Sequence, residues 1–187
     1  MLNYNSVIKK TMSFNDLNIK EISPIMKLNI RGKKTEFFTN VNKILNMILP
    51  TEANTSSTND KLTSIWLSPD EWMIYSNDPI EKNNNSYELK ESIYSNISKN
   101  NLGSVSDVTD QFVMINLEGN KIFELLSSGC PLNFEDFKEK KGSTAQTILN
   151  HIDITIHHKD INKVNLFVRR SFAEHLWSWM NDSARFL

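Results

Sequence analysis

The sequence predicts an α+β fold built from two related halves. Three observations lead to this prediction. Apolar stripes of helical spacing alternate with short strand-like segments, the same kinds of element occur twice along the 187 residues, and no long linker separates the two runs. We expect residues 1–20 to form an N-terminal arm on the surface or on a partner, and residues 21–187 to form a single domain with halves of about 21–108 and 109–187.

The first half contains, in order, a strand, a helix, a hairpin, a second helix and a closing strand. Strands are indicated by apolar residues at every second position, and helices by apolar residues three or four positions apart. This order is that of the split βαββαβ unit found in ferredoxin-like folds. The predicted elements lie at residues 22–30, 35–48, 61–67, 72–76, 86–97 and 102–108.

The second half repeats this βαβ-type theme. Residues 112–117 are apolar apart from Asn116 and predict a central strand. A short helix should follow it and end at Gly129, which we expect in the left-handed conformation. Further strands complete a mostly antiparallel sheet system. These strands are predicted at residues 145–149, 152–156 and 164–168.

A final helix is expected after the last strand. Ser171 and Glu174 have the spacing of a capping box, in which each side chain binds a backbone N–H group at the start of the helix. Trp177 lies about 200° from Trp179 around such a helix, so at least one of the two rings should approach the surface. We expect the helix to bury Phe172, Leu176, Trp179 and Met180.

The composition favours an ordinary folded protein with a cytoplasmic location. The net charge is −1, 39% of the residues are hydrophobic, and acidic and basic residues are interspersed, so we expect no nucleic-acid partner and no membrane attachment. The first residues lack the basic and apolar regions of a secretory signal, and no apolar run approaches the length of a membrane span. A single cysteine fits a reducing compartment.

The sequence shows no catalytic, metal-binding or cofactor-binding motif. Cys130 follows the end of a helix, where the dipole disfavours a thiolate, so we expect it to pack a turn rather than act as a nucleophile. His157 and His158 would point to opposite faces of a strand and could not share a metal ion. The glycines lack the spacing of a phosphate-binding loop. We therefore expect no catalytic residue, metal or flavin in this chain.

Two charged pairs and one tryptophan are the candidate contact residues. Arg169 and Arg170 would lie on opposite faces at the end of the last strand. One can then meet an anionic partner or ligand, while the other packs inside with a carboxylate. The alternative interpretation of this pair is an ordinary surface salt bridge. Asp107 and Asp110 would bond nearby backbone N–H groups at a strand entrance or hold a ligand. An exposed Trp177 beside the arginines would suit a protein interface, and the alternative is a ring half-buried at the rim of the core.

Several short motifs occur in an order that resembles one known family. They are Trp66-Leu67-Ser68-Pro69-Asp70-Glu71-Trp72, Asp107-Val108-Thr109-Asp110, Gly129-Cys130-Pro131-Leu132, Ala145-Gln146-Thr147, and Arg170-Ser171-Phe172-Ala173 followed by Leu176-Trp177-Ser178-Trp179. Each motif is short, but their joint order over residues 60–187 resembles the gamma subunit of heterotetrameric sarcosine oxidase. The fold of that subunit is related to the folate-binding domain of aminomethyltransferases.

This resemblance implies a role in an assembly rather than independent catalysis. Enzymes of this family combine alpha, beta, gamma and delta subunits, and they use FAD, FMN, NAD, zinc and tetrahydrofolate in subunits other than gamma. They convert sarcosine to glycine, release hydrogen peroxide and form 5,10-methylenetetrahydrofolate. The resemblance therefore implies a non-catalytic gamma subunit of an oxidoreductase, with the alpha, beta and delta subunits as its partners.

The alternative interpretation is a stand-alone folate-binding protein related to iron–sulfur repair proteins. The motif of those proteins, Lys-Gly-Cys-Tyr-x-Gly-Gln-Glu, is matched only in part by residues 141–147. Ser143 replaces the cysteine, Gln146 is displaced by one position, and the glutamate is missing. These departures favour the subunit interpretation, and no group of residues supports an independent enzyme of another kind.

Overall fold

The computed structural model describes residues 5–80 and 86–187 and divides the chain into two compact units. Unit 1 combines Met1–Ser23 with Asp110–Leu187, and unit 2 is Pro24–Thr109. Each unit contains one sheet in which all strand pairs are antiparallel. None of the helices within the described ranges is long and apolar enough to cross a membrane.

Eleven strands and five α-helices make up the described part of the chain. The strands are β1 (Thr11–Phe14), β2 (Leu17–Glu21), β3 (Ile25–Gly32), β4 (Ser56–Thr58), β5 (Leu62–Ser68), β6 (Glu71–Pro79), β7 (Gly103–Asp107), β8 (Phe112–Glu118), β9 (Thr144–Leu149), β10 (Ile152–Asp160) and β11 (Lys163–Arg169). The helices are α1 (Thr35–Leu45), α2 (Ser86–Ile93), α3 (Ile122–Ser127), α4 (Glu135–Glu139) and α5 (Ala173–Ala184). A π-helical turn continues α2, and a 3₁₀ turn precedes α5.

Unit 2 has the predicted ferredoxin-like order. Its sheet runs β4-β5-β6-β3-β7, so the four strands of the βαββαβ unit follow each other as second, third, first and fourth, with β4 added at one edge. Helix α1 packs on this sheet, where Phe37 stacks on Trp72 with ring centroids 5.8 Å apart. The buried Trp72 indole donates a hydrogen bond to the carbonyl of Pro50 at 2.8 Å. The core of this unit therefore lies between the sheet and its helices.

Unit 1 repeats the same strand order with one strand taken from elsewhere in the sequence. Its sheet runs β1-β2-β8-β11-β10-β9. If β8 is the first strand and β10 and β11 are the second and third, the fourth position is filled by β2, and β9 is the added edge strand. One buried cluster joins the helix-facing residues of these strands to α3 and α5. The two halves are thus related in topology, as the sequence predicted.

The expected N-terminal arm is wrong for residues 11–20, while residues 1–4 lie outside the described residues. Strands β1 and β2 form a hairpin, and Leu17 and Ile19 are almost completely buried in the core of unit 1. The Glu21 carboxylate accepts the backbone N–H groups of residues 7, 8 and 9 at 2.8–2.9 Å. The physical reason is β8, a central strand that pairs with β11 on one side and needs β2 on the other.

The expected role of Gly129 as a left-handed helix end is also wrong. The described glycines with positive φ are Gly119 and Gly142, and Gly129 is not among them. A Cβ atom at Gly129 would lie 2.6 Å from Cζ2 of Trp179. Position 129 therefore requires glycine because the Trp179 ring approaches the backbone there.

The start and the buried face of the last helix differ from the prediction. Helix α5 has Phe172 at its N-cap without a side-chain capping bond, so Ser171 and Glu174 form no capping box. Trp177 is buried, with 7% of its surface exposed, whereas Phe172 is 48% exposed and Trp179 is half-buried. Because a 3₁₀ turn takes up residues 170–172, the inward stripe begins at residue 173. The expected burial of Leu176 and Met180 is confirmed.

Candidate partner-binding site

The candidate site lies on one end of the unit 1 sheet. Alternate residues of β8, β10 and β11 pack against the helices, which leaves the intervening residues on the second face. Asp153 pairs with Ile148 of β9, and Arg169 pairs with Phe112 of β8. Because Ile154 is opposite Val168, Asp153 lies beside Arg169. These side chains form one row across four strands, here called the terminal row: Ile148, Asp153, Arg169 and Phe112.

The two charges of the terminal row are exposed and are not used within the described chain. Asp153 and Arg169 are both exposed. Over residues 5–80 and 86–187, neither side chain has a hydrogen bond or an ion pair. Opposite charges on neighbouring strands commonly pair with each other. Here both remain available to a group outside the chain.

Two open depressions border Arg169. One, of about 430 Å³, lies over the terminal row and the next row of the same face, which contributes Gln146, Thr155 and Phe167. The other, of about 610 Å³, is lined by Val7, Gln111, Arg169, Arg170, Ser171 and Glu174. Arg169 therefore stands between two concave surfaces, with its guanidinium free to bind in either.

Arg170 is engaged inside unit 1. Its Nη1 lies 3.6 Å from Oδ1 of Asp110, and its Nη2 donates a hydrogen bond to the carbonyl of Asn5 at 2.9 Å. Its backbone N–H donates to the carbonyl of Gln111 at 2.9 Å. The side chain thus ties the end of β11 to the chain just before β8 and to the N-terminal segment. The structure brings Arg169, Arg170 and Asp110 into one unit.

Asp107 lies in the other unit and bonds to its own surroundings. Its carboxylate accepts the backbone N–H of Thr109 at 3.0 Å and lies 3.2 Å from Nζ of Lys90. Burial acts to raise the pKa of Asp107, but the hydrogen bonds from Thr109 and the ammonium of Lys90 outweigh it, and the pKa lies below its usual value. Asp107 therefore fixes the end of β7 and stays ionised.

The aromatic candidate changes when burial is known. The sequence predicted an exposed Trp177. Its ring instead packs in the core of unit 1, so the indole is not available at the surface. Phe172, two residues after Arg170, is the large apolar side chain exposed at this point of the chain. An aromatic contact with a partner would be made there by Phe172.

A further row on the same sheet face consists of buried polar residues and was not predicted from the sequence. Thr144, His157, Asn165 and Asn116 lie opposite each other on four strands and are all buried. The Asn116 amide donates to Oδ1 of Asn165 at 2.9 Å. Loss of solvation, helped by the charges of Lys159 and His158, lowers the pKa of His157 to about 3. His157 is therefore neutral. The described residues contain no cluster of three or more side chains that could bind a metal ion.

Comparisons with known proteins give the same picture as the fold. The chain resembles the heterotetrameric sarcosine oxidase from Corynebacterium sp. U-96, solved with pyrrole 2-carboxylate, with a TM-score of 0.80 at 18% identity over 90% of this chain and 84% of that chain. It also resembles the glycine cleavage system aminomethyltransferase T from Bartonella henselae, with a TM-score of 0.62 at 14% identity over 88% of this chain and 45% of that chain. No curated protein sequence matches it.

The two structural matches show a shared fold, and the chain spans slightly less than half of the aminomethyltransferase. The family is shown by a separate match. The family model described as sarcosine oxidase, gamma subunit family, matches residues 31–185, which is well over half of the chain. The stand-alone folate-binding alternative is not favoured by this match. The chain belongs to the sarcosine oxidase gamma subunit family.

Proposed function

We propose that this chain is the gamma subunit of a heterotetrameric sarcosine oxidase and has a structural, non-catalytic role in it. The observation that carries the proposal is the family match over residues 31–185. The assembled enzyme would oxidise sarcosine to glycine, release hydrogen peroxide and form 5,10-methylenetetrahydrofolate in the cytoplasm. FAD, FMN, NAD, zinc and tetrahydrofolate would be held by the alpha, beta and delta subunits.

The structural role is supported by what the reactive side chains of this chain do. Cys130 is buried, and its Sγ lies 3.6 Å from Oγ1 of Thr147. Asp107 is committed to Thr109 and Lys90. The Cys130 thiol is buried against a hydroxyl, and the Asp107 carboxylate is already in an ion pair. Both groups are therefore held in place rather than presented to a substrate. These groups stabilise the units, and the exposed terminal row is left to contact other subunits.

Coexpression tests the proposal. A tagged copy of this chain is produced with the alpha, beta and delta subunits of the same source, and the purified material is examined for subunit composition, flavin absorbance and peroxide formation from sarcosine. We expect all four subunits in equal amounts and a flavin spectrum in the assembly. The tagged chain produced by itself should be colourless.

Two results would contradict the proposal. One is a flavin spectrum in the isolated chain, which would make it a cofactor-binding subunit. The other is an assembly of the remaining three subunits that forms and oxidises sarcosine equally well when this chain is left out, because a structural subunit must change the yield or stability of the complex.

A further inference from the structure

The terminal row combines two unused charges with apolar surface. Ile148 is 37% exposed at one end of the row, and Phe112 is half-buried at the other. The fully buried Phe167 contributes to the floor of the depression between the rows. A guanidinium over such a surface is more weakly hydrated than an ammonium group and offers a planar fork of N–H donors. The row is therefore suited to a bidentate contact with a carboxylate.

Arg169 differs from the other three arginines in its surroundings. Arg31 lies 3.4 Å from Glu71 and 3.9 Å from Asp70, and Arg170 lies 3.6 Å from Asp110. Each of these two arginines has an acidic partner within its own unit. The exposed Arg185 has no ion pair in the described residues, but it borders neither depression. Arg169 has an acidic neighbour in Asp153 but forms no ion pair with it, although the two residues lie on adjacent strands. Arg169 thus combines a guanidinium without an ion pair in the described chain with a position that borders both depressions.

We propose that the terminal row is a docking surface for another subunit of the assembly, and that Arg169 binds an aspartate or glutamate carboxylate of that subunit. This inference rests on the proposed function. An apolar side chain of the same segment would fill the depression of about 430 Å³. Asp153 repels a second acidic group beside the first, so it fixes the position of the acidic residue along the row.

Charge and shape favour a protein segment over the other occupants. A small free carboxylate would satisfy Arg169 but leave most of the open depression unfilled, so it would bury little apolar surface. A second copy of this chain could place its Asp153 on Arg169, since the row is self-complementary about its centre. A family whose solved relative is heterotetrameric favours a different subunit as the occupant.

Charge reversal at Arg169 tests the inference in the coexpressed complex. Arg169→Glu should weaken association with the other subunits roughly ten- to hundredfold, measured as the dissociation constant between purified chain and the remaining subunits. Arg169→Lys keeps the charge but loses the planar fork of N–H donors. Its dissociation constant should lie between those of the wild-type chain and Arg169→Glu. Stability is checked with Arg169→Gln, which removes the charge without placing an acidic group beside Asp153. The melting temperature of the isolated Arg169→Gln chain should stay unchanged, because the Arg169 side chain has no hydrogen bond or ion pair in the described chain. Arg185→Glu, at an exposed arginine outside both depressions, is the matched control.

Three results would overturn the inference while leaving the proposed function intact. The first is normal association of Arg169→Glu. The second is self-association of the isolated chain that is lost in Arg169→Glu and regained in Asp153→Arg/Arg169→Asp, measured by light scattering, which identifies a second copy as the occupant. The third is saturable binding of acetate that requires Arg169, combined with an association with the other subunits that does not require it. If the wild-type chain does not associate with the other subunits, both proposals fall.

Discussion

His157 shows at the scale of one residue how burial fixes a charge state. Its folded pKa is about 3, and the ordinary value is 6.5. Between these two values the unfolded chain binds a proton that the folded chain does not. The contribution of the neutral His157 to the free energy of unfolding is therefore fully present above about pH 6.5 and is lost as the pH falls towards 3. We predict that the free energy of unfolding decreases by about 1.4 kcal/mol per pH unit over this range because of His157.

Urea unfolding at a series of pH values from neutral to mildly acidic measures this effect. The variant His157→Gln should show a slope that is smaller by the contribution of one proton. His151→Gln, at an exposed histidine, is the matched control. Identical slopes for the parent and His157→Gln would mean that His157 is protonated in the folded chain. The slope is the readout, since the substitution itself also changes local hydrogen bonding.

At the scale of elements, Gly129 links the end of α3 to α5. A methyl group at this position would lie 2.6 and 2.7 Å from two ring atoms of Trp179 and 3.3 Å from Leu149. We predict that Gly129→Ala lowers the free energy of unfolding by about 1–3 kcal/mol, the usual cost of overpacking. Trp179→Leu in the same chain should recover part of this loss, because it removes the ring atoms that the methyl group meets.

Denaturant unfolding of the two single variants and the double variant gives the coupling energy. A favourable coupling between Gly129→Ala and Trp179→Leu supports close approach of the ring as the reason for glycine. Strictly additive losses would instead place the requirement in the backbone conformation after α3, as the sequence first suggested.

Elements with a local signal could be predicted from the sequence. The apolar stripe from residue 35 predicts α1, although the helix ends at Leu45 and is followed by Asn46 in the left-handed conformation, four residues before Pro50. The aromatic-rich segments give the β5–β6 hairpin. In both cases the period of the side chains and the turn residues between them lie within a few positions of each other. The ferredoxin-like order followed from these elements together with the predicted strands at residues 22–30 and 102–108 and the predicted helix at residues 86–97.

Features that depend on distant pairing could not be predicted in this way. The β1–β2 hairpin is too short to have a clear pattern, and its place in the sheet is set by β8, about a hundred residues later. The terminal row likewise depends on the register of four strands. The sequence therefore could not predict that Asp153 and Ile148 lie in one row with Arg169. Trp177 was misplaced because Leu176 and Met180 belong both to a helical stripe with Trp177 and to one with Trp179, so the period alone does not choose between the two rings.

At the scale of the whole molecule, the chain crosses between its units in a symmetrical way. Strand β2 completes the sheet of unit 1 and is followed directly by β3, the first strand of unit 2. Strand β7 completes the sheet of unit 2 and is followed by β8, the first strand of unit 1. Each unit thus has its fourth strand immediately before the first strand of the other. Unit 1 cannot complete its sheet without residues that precede unit 2.

We predict that a chain starting at residue 24 exposes one edge of β8 and self-associates. This strand is almost entirely buried between β2 and β11, so without β2 its unpaired backbone groups and apolar side chains would meet other copies. Size-exclusion chromatography with light scattering should show oligomers, and a synthetic peptide of residues 5–23 added during refolding should restore the monomer by strand addition. A scrambled peptide is the control. A monomeric chain of unchanged stability without residues 1–23 would show that β8 does not need β2, and the fourth-strand position in unit 1 would then be structurally dispensable.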